Sequence, residues 1–418
     1  MKLSKKNKLI MLLASILLFA GMATDIYIPS LPLIVKTFKT TSVMAGLTVS
    51  VYILAFAISG LAAASFSDHF GRKITLKYAN ILFLVATGLL VFAPTIHTFI
   101  LLRILQGIAG GFFSVITRQI IKDLFDEKEQ ININAIIFTA FVISPAVAPI
   151  LGAFIAEHFS WRVCFVVIFV LQALVFIGIS KDLKETLKVR KDFQHPLTTV
   201  GSIFLFFFNR EFNACVLVSS LAYGGYFAFI TISSFIFINH LGFSGMSYSL
   251  IFLILAALYL VSNLLMRAMN NMDMNKHTII LYGCILNFIG AVLLIFTLFN
   301  FSKTMISIFI ITGAVFMRFG LGFILSLVQI VAMNQFKKSG GLALGTLNAA
   351  QCIFAAFCAT WATHFANPIM GLFVVSIVFC GGALLIYLLI FSKLPYPHLK
   401  YKVMKIFLHE EHINKYIE

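Results

Sequence analysis

Ser67-Asp68-His69-Phe70-Gly71-Arg72-Lys73 is a short polar stretch held between two long apolar runs. Before it, residues 43–66 carry no charge; after it, residues 74–96 carry only Lys77. Apolar runs of about 20 residues cross the ~30 Å hydrocarbon layer as helices. A connection this short between two such runs forces an antiparallel helix pair. Its acid, glycine and paired bases then share one membrane face.

The rest of the chain repeats the pattern. Of 418 residues, 61% are hydrophobic and 11% charged, where a soluble domain is nearer half apolar and a quarter charged. Such a chain is an integral membrane protein, and the short alternating segments of a transmembrane barrel do not occur. Reading from polar break to polar break predicts twelve spans, near 9–30, 43–66, 74–94, 97–121, 131–157, 162–180, 212–238, 246–268, 277–300, 304–333, 341–366 and 368–392.

The net charge of +16 is distributed as in a membrane protein and does not point to a nucleic acid. With the end carrying Lys2, Lys5, Lys6 and Lys8 inside, one face collects Arg72, Lys73, Lys122, Lys128, the 181–191 cluster, Arg267, Lys276, Lys337, Lys338 and the tail lysines. The other receives Lys36, Lys39, Arg162 and Lys303. This is positive-inside asymmetry, and it predicts cytoplasmic termini. All six cysteines fall within predicted spans, so they read as packing residues. The first span has the outline of a signal peptide, but its length and the position of Asp25 and Pro29 favour a retained helix.

Six spans precede the longest hydrophilic interruption and six follow it. The expected organisation is a six-helix bundle over 1–180, a cytoplasmic linker over 181–210, a second bundle over 211–392 and a basic tail over 393–418. The linker's first part, Lys181 to Lys188, is expected to form a short surface helix, and 200–208 an interfacial segment. Paired bundles let a central site face either side in turn. The internal repeat is weak: at the loop equivalent to 67–73, only Arg267 and Asp273 echo the base and acid.

Four blocks carry a family resemblance. Thr24-Asp25-Ile26-Tyr27-Ile28-Pro29-Ser30-Leu31-Pro32 is one, and Ala64 to Leu76 is a second, in which Asp68, Gly71, Arg72, Lys73 and Leu76 fit a known loop motif while Ala64, Phe66 and His69 depart from it. The third runs from Arg103-Ile104-Leu105-Gln106-Gly107 through Gly110-Gly111 to Arg118 and Asp123. The fourth is Pro145-Ala146-Val147-Ala148-Pro149-Ile150-Leu151-Gly152 with Trp161-Arg162. Together they resemble the major facilitator superfamily, in particular its Bcr/CflA (bicyclomycin/chloramphenicol resistance) branch of drug:proton antiporters. The resemblance is strongest over 20–165. Where that branch has Ser-Pro-Phe in the seventh helix, this chain has Ser233-Ser234-Phe235. The implied fold is all-α, with twelve transmembrane helices in two six-helix bundles.

Asp25 and Arg103 are the proton-coupling candidates. An ionised carboxylate at mid-helix costs about 2.5–3.5 kcal/mol on the lenient insertion scale, and burial favours the neutral acid, which suits a group that loads and unloads a proton. A second reading makes Asp25 a hydrated cap at the Pro29 break. Arg103, Gln106, Gly107, Gly110 and Gly111 share one helix face; the arginine and the amide are expected to look into the cavity, with glycines admitting a neighbouring helix. The competing reading has Arg103 bonding backbone carbonyls and locking two helices. The resemblance implies the coupling role.

Asp68, Gly71, Arg72, Lys73 and Asp123 form a second constellation, which the resemblance implies is a cytoplasmic latch, its acid facing the start of the eleventh span at Ser339-Gly340-Gly341. Gly71 permits a tight turn and Arg72 can fork between carboxylates; a loop whose bases merely set topology is the alternative. Pro145, Pro149 and Gly152, the implied antiporter motif, are expected to interrupt the fifth span. Arg318 contacts an anionic substrate, pairs with an acid not visible from the sequence, or snorkels. Tyr27, Gln106, Tyr223, Tyr226, Asn348 and Gln351, with Phe227, are expected cavity-lining groups.

No phosphate-binding loop and no hydrolase constellation occurs, so neither direct ATP use nor an enzyme is expected. The reading is a single-chain, proton-driven exporter of small amphipathic compounds with no cofactor beyond the proton gradient, its partners being the solute, protons and lipid. The alternatives are a dedicated transporter of one metabolite or siderophore and a non-transporting membrane scaffold.

Overall fold

A computed structural model describes residues 3–187, 189–190, 206–336 and 340–391. The 393–418 tail and most of the 200–208 segment lie outside these. The described residues form α1 (Leu3–Asp25), α2 (Leu31–Phe38), α3 (Ser42–Phe70), α4 (Arg72–Val91), α5 (Ile96–Leu124), α6 (Glu127–His158), α7 (Trp161–Asp182), α8 (Arg210–Ser234), α9 (Gly245–Asn271), α10 (Lys276–Leu293), α11 (Lys303–Asn334), α12 (Gly340–Thr363) and α13 (Pro368–Phe391). α1 and α2, joined by a 3₁₀ turn at Ile28–Ser30, make one span of two pieces. Eleven spans are long and apolar enough to cross a membrane by themselves, and α6 contributes the shorter apolar stretch Ile143–His158.

Helix starts follow from local chemistry. Each helix leaves its first N–H groups without intrahelical partners, and a short polar side chain at the preceding residue accepts one. Thr41, Thr95, Asp126, Ser160, Asn209, Ser244, Asn275 and Ser302 all do so, for example Asp126 from Glu129 N at 2.8 Å and Asn209 from Phe212 N at 2.9 Å. These residues lie at the polar breaks between apolar runs, which is why the spans are readable in the sequence.

Three expectations are corrected. The first span does not end near residue 30 but continues to Phe38, because Pro29 and Pro32 occupy first-turn positions of the 3₁₀ turn and α2, where a missing N–H costs nothing. The linker does not open with a surface helix: α7 runs to Asp182, and residues 183–187 are non-helical. Pro145 and Pro149 do not interrupt their helix, since α6 stays helical through both.

The helices pack as two bundles with the same wiring. In the first, α1 packs on α6 and α7, α3 on α5, and α4 on α5 and α7. The second repeats each pairing: α8 on α12 and α13, α9 on α11, and α10 on α11 and α13. The bundles meet through α3 against α12 and α6 against α9. The repeat that the sequence conceals is therefore plain in the packing.

Candidate functional site

The centre of the molecule is built from the break in the first span. α1 ends at Asp25, and the turn Ile28–Ser30 packs against α8 and α9 of the opposite bundle. Asp25 is half-buried, and its Oδ2 accepts a hydrogen bond from Ser144 Oγ at 3.1 Å. Gly152 permits this arrangement: a Cβ there would overlap the Ile26 carbonyl oxygen. Pro149 is buried, and its carbonyl accepts from Ser249 Oγ of α9 at 2.9 Å, joining the two bundles.

Arg103 is fully buried inside the first bundle and does not face the cavity. Its Nε donates to Thr48 O at 3.2 Å; its Nη1 donates to Ala23 O at 3.1 Å and to Gln106 Oε1 at 2.5 Å. The guanidinium also lies 4.8 Å from the Tyr27 ring centroid and 4.3 Å from that of Tyr52. The break after Asp25 explains part of this, since a carbonyl at the end of a helix lacks its usual intrahelical donor. Gln106, equally sealed, passes the chain on through Nε2 to Thr87 Oγ1 at 2.7 Å. Beside them Gly107, Gly110 and Gly111 let α5 press onto the Tyr52–Phe56–Ser59 face of α3. The arginine therefore ties α1, α3 and α5 together and makes no hydrogen bond to Asp25.

Tyr27 is likewise a packing residue. It is buried, its hydroxyl is 3.0 Å from Thr48 Oγ1, and its ring packs on Phe99 and Phe165. A lining role for Tyr27 or Gln106 does not fit this burial.

Facing Asp25 from the second bundle are Tyr223, Tyr226 and Arg318. Arg318 stands at the middle of α11, half-buried, its guanidinium 5.0 Å from the Tyr226 ring and 4.1 Å from the Tyr259 ring. Its Nε is buried without a hydrogen-bond partner. The turn that follows Asp25 packs on α8, which carries Tyr223 and Tyr226, and on α9, which carries Tyr259. Asp25 and the Arg318 cluster thus lie on opposite sides of the seam between the bundles. Gln351 is buried with Nε2 unpartnered, and half-buried Asn348 accepts from Gln329 Nε2 at 3.4 Å.

The polar stretch at 67–73 forms a dense network. Buried Arg72 donates Nη1 to Asp68 Oδ1 at 2.5 Å and to Ser67 Oγ at 2.8 Å, and Nε to Asp123 Oδ2 at 3.1 Å. Lys73 Nζ reaches Ser180 O at 3.2 Å. Glu185, from the linker, accepts from Arg72 N at 2.8 Å and Lys73 N at 3.2 Å. Thr186 adds a bond from its hydroxyl to Asp123 Oδ2 at 3.2 Å. Gly71 has φ +105°, and a Cβ there would come 2.5 Å from Glu185 Oε2. The glycine therefore gives both the turn and the room for the carboxylate. Ser339, at the other end of the implied latch, lies outside the described residues.

Sequence reasoning missed Ser144, Tyr259, Tyr52 and Glu185. The first three are ordinary helix residues whose importance comes only from what faces them. Glu185 carried a weak signal, an acid between the linker bases Lys184 and Lys188. Among the described residues no group of three His, Cys, Asp or Glu is placed to hold a metal ion.

The sequence profile of the Major Facilitator Superfamily matches residues 13–359. The chain is 25% identical to Multidrug resistance protein D of Escherichia coli, over 61% of this chain and 64% of that protein. It is 27% identical to the Bicyclomycin resistance protein homolog of Haemophilus influenzae, over 52% and 55%. The matched region thus spans less than two thirds of these relatives. The fold is similar to that of a crystallised D-xylose-proton symporter, with a TM-score of 0.72 at 16% identity, over 93% of this chain and 97% of that one.

Proposed function

The chain belongs to the Major Facilitator Superfamily, and from that premise we propose that it is a proton-coupled exporter of small amphipathic compounds working by alternating access. The observation that carries the reading is Asp25. Every other acid of the described membrane helices sits in a first or last turn, whereas Asp25 interrupts a span and faces the seam between the bundles. Intramembrane ionisable groups mark proton and substrate paths, and a carboxyl that is partly exposed and held by a single hydroxyl is free to exchange its proton.

Arg103 is a positioning residue in this scheme. It fixes the broken end of α1 and biases the Asp25 proton through its field. Asp68, Arg72, Lys73, Asp123 and Gly71 act as the latch on the cytoplasmic face, with residues 1–180 and 211–392 rocking about the linker. Both termini are cytoplasmic and the membrane is the bacterial inner membrane, as the positive-inside asymmetry supports. The protein acts as a single chain, performs no enzymatic step and uses no cofactor beyond the proton gradient. The names of the relatives, multidrug resistance protein D and bicyclomycin resistance homolog, support export of toxic compounds.

Reconstitution into proteoliposomes tests this. An imposed pH gradient should drive solute flux in the wild type, and Asp25→Asn should abolish that flux while the protein stays folded. Flux of undiminished rate and pH dependence in Asp25→Asn would remove Asp25 from its role.

A further inference from the structure

We propose that Arg318 sets the charge class of the substrate: the chamber admits neutral amphipathic molecules and rejects lipophilic cations. The inference rests on the transport function proposed above and on a census of charge at mid-membrane.

Among the described residues Asp25 is the only acid away from the ends of a membrane span, at the break between α1 and α2. Two arginines stand near the break: Arg103, bonded to Ala23 O, and Arg318, held by rings on the two helices that the break packs against. Arg103 is sealed in its own bundle, with two backbone carbonyls, an amide oxygen and two rings as partners. Arg318 has no ion pair among the described residues; two tyrosine rings hold it and its Nε is unpartnered. The break that presents Asp25 packs onto α8 and α9, the helices that bear Tyr226 and Tyr259. Asp25 and Arg318 are therefore each other's compensating charges across the seam between bundles.

A charge without its counter-charge is costly in a medium of low dielectric, so occupancy follows from the balance. With Asp25 ionised, its charge and that of Arg318 cancel, and a neutral solute leaves the balance intact. With Asp25 protonated, the chamber carries the positive charge of Arg318 alone. A cationic solute would face an already compensated acid in the first state and a bare guanidinium in the second. Neither state offers it an unshared anion. Arg103 adds a positive field in both states. Arg118, fifteen residues along α5 and exposed, puts a third positive charge about 22 Å away along that helix. The two tyrosine rings, both buried, hold the guanidinium by cation–π contact.

The test is equilibrium binding to the full-length protein in detergent, with tetraphenylphosphonium as the cation and chloramphenicol as the neutral compound. The wild type should bind tetraphenylphosphonium at least tenfold more weakly than Arg318→Gln, in which Asp25 is left as an uncompensated anion. Arg318→Lys should keep the exclusion. The double variant Asp25→Asn with Arg318→Gln should lose the gained cation affinity. Tight cation binding by the wild type, or a folded Arg318→Gln or Arg318→Met protein with no gain, overturns the inference. If both glutamine and methionine variants fail to fold, the wild-type comparison and Arg318→Lys still decide it, since tight cation binding in either contradicts the charge balance. The cation readout is independent of flux. Loss of chloramphenicol binding and transport in every protein would sink the exporter reading while leaving the cation result standing.

Discussion

At the scale of single residues, two buried or half-buried arginines with similar sequence surroundings have opposite surroundings in space. Arg103 spends its Nε and Nη1 on its own bundle, with Nη2 buried and unpartnered, so removing it strands Ala23 O, Thr48 O and Gln106 Oε1 in an apolar interior. Leaving buried polar groups unpaired costs about 1–3 kcal/mol each. Arg103→Met should therefore lower the thermal unfolding midpoint in detergent markedly, while Arg318→Met, which breaks no hydrogen bond among the described residues, should move it little. Equal shifts in the two variants would contradict the distinction. Gly71 makes a second prediction. Its φ of +105° with ψ of 152° is backbone that only glycine adopts without strain of about 1–3 kcal/mol, and an added methyl meets Glu185. Gly71→Ala should speed amide exchange at Arg72, Lys73 and 183–187; unchanged protection there would show that the carboxylate is not held as described. The types and positions of these residues were legible in the sequence, and so was the choice between a coupling and a carbonyl-binding Arg103. Which alternative held depended on the break after Asp25, a three-dimensional feature that residue spacing does not encode.

At the scale of elements, the α1–α2 break and α6 are one device. α1 and α6 approach so closely at Ile26 and Gly152 that no side chain fits between them, and Ser144 on α6 donates to Asp25. Gly152→Val should push α6 away from the break. The expected outcome is a protein that either fails to accumulate in the membrane or, where it does, has lost gradient-driven flux. Normal expression with wild-type flux would show that the close approach is dispensable. The linker's first segment behaves as part of the first bundle, because Glu185 and Thr186 bind the 71–73 turn and Asp123. Sequence periodicity favoured a helix there. Capping of α4 by the Glu185 carboxylate won instead, since orphan N–H groups at a helix start attract an anion.

At the scale of the whole molecule, polar breaks and apolar lengths were enough to lay out the twelve spans, because most breaks carry a capping side chain that starts the next helix. The doubling into two bundles was visible only as a six-and-six count. The shared wiring, α3 with α5 repeated by α9 with α11, leaves no trace in residue identity, because lipid-facing and packing positions accept many apolar side chains. The seam between the bundles gathers the chemistry: Asp25 from one side, Arg318 and its tyrosines from the other, and Ser249 with Pro149 tying the two. A solute entering this chamber meets an acid whose proton must leave for the charges to balance.

Proton release on ligand binding tests that claim most directly. In weakly buffered detergent solution near neutral pH, adding a transported neutral compound to the protonated wild type should release protons in proportion to the sites filled. The same addition to Asp25→Asn should release none. Release of equal size from Asp25→Asn, or binding to the wild type with no proton change at any pH, would contradict the account.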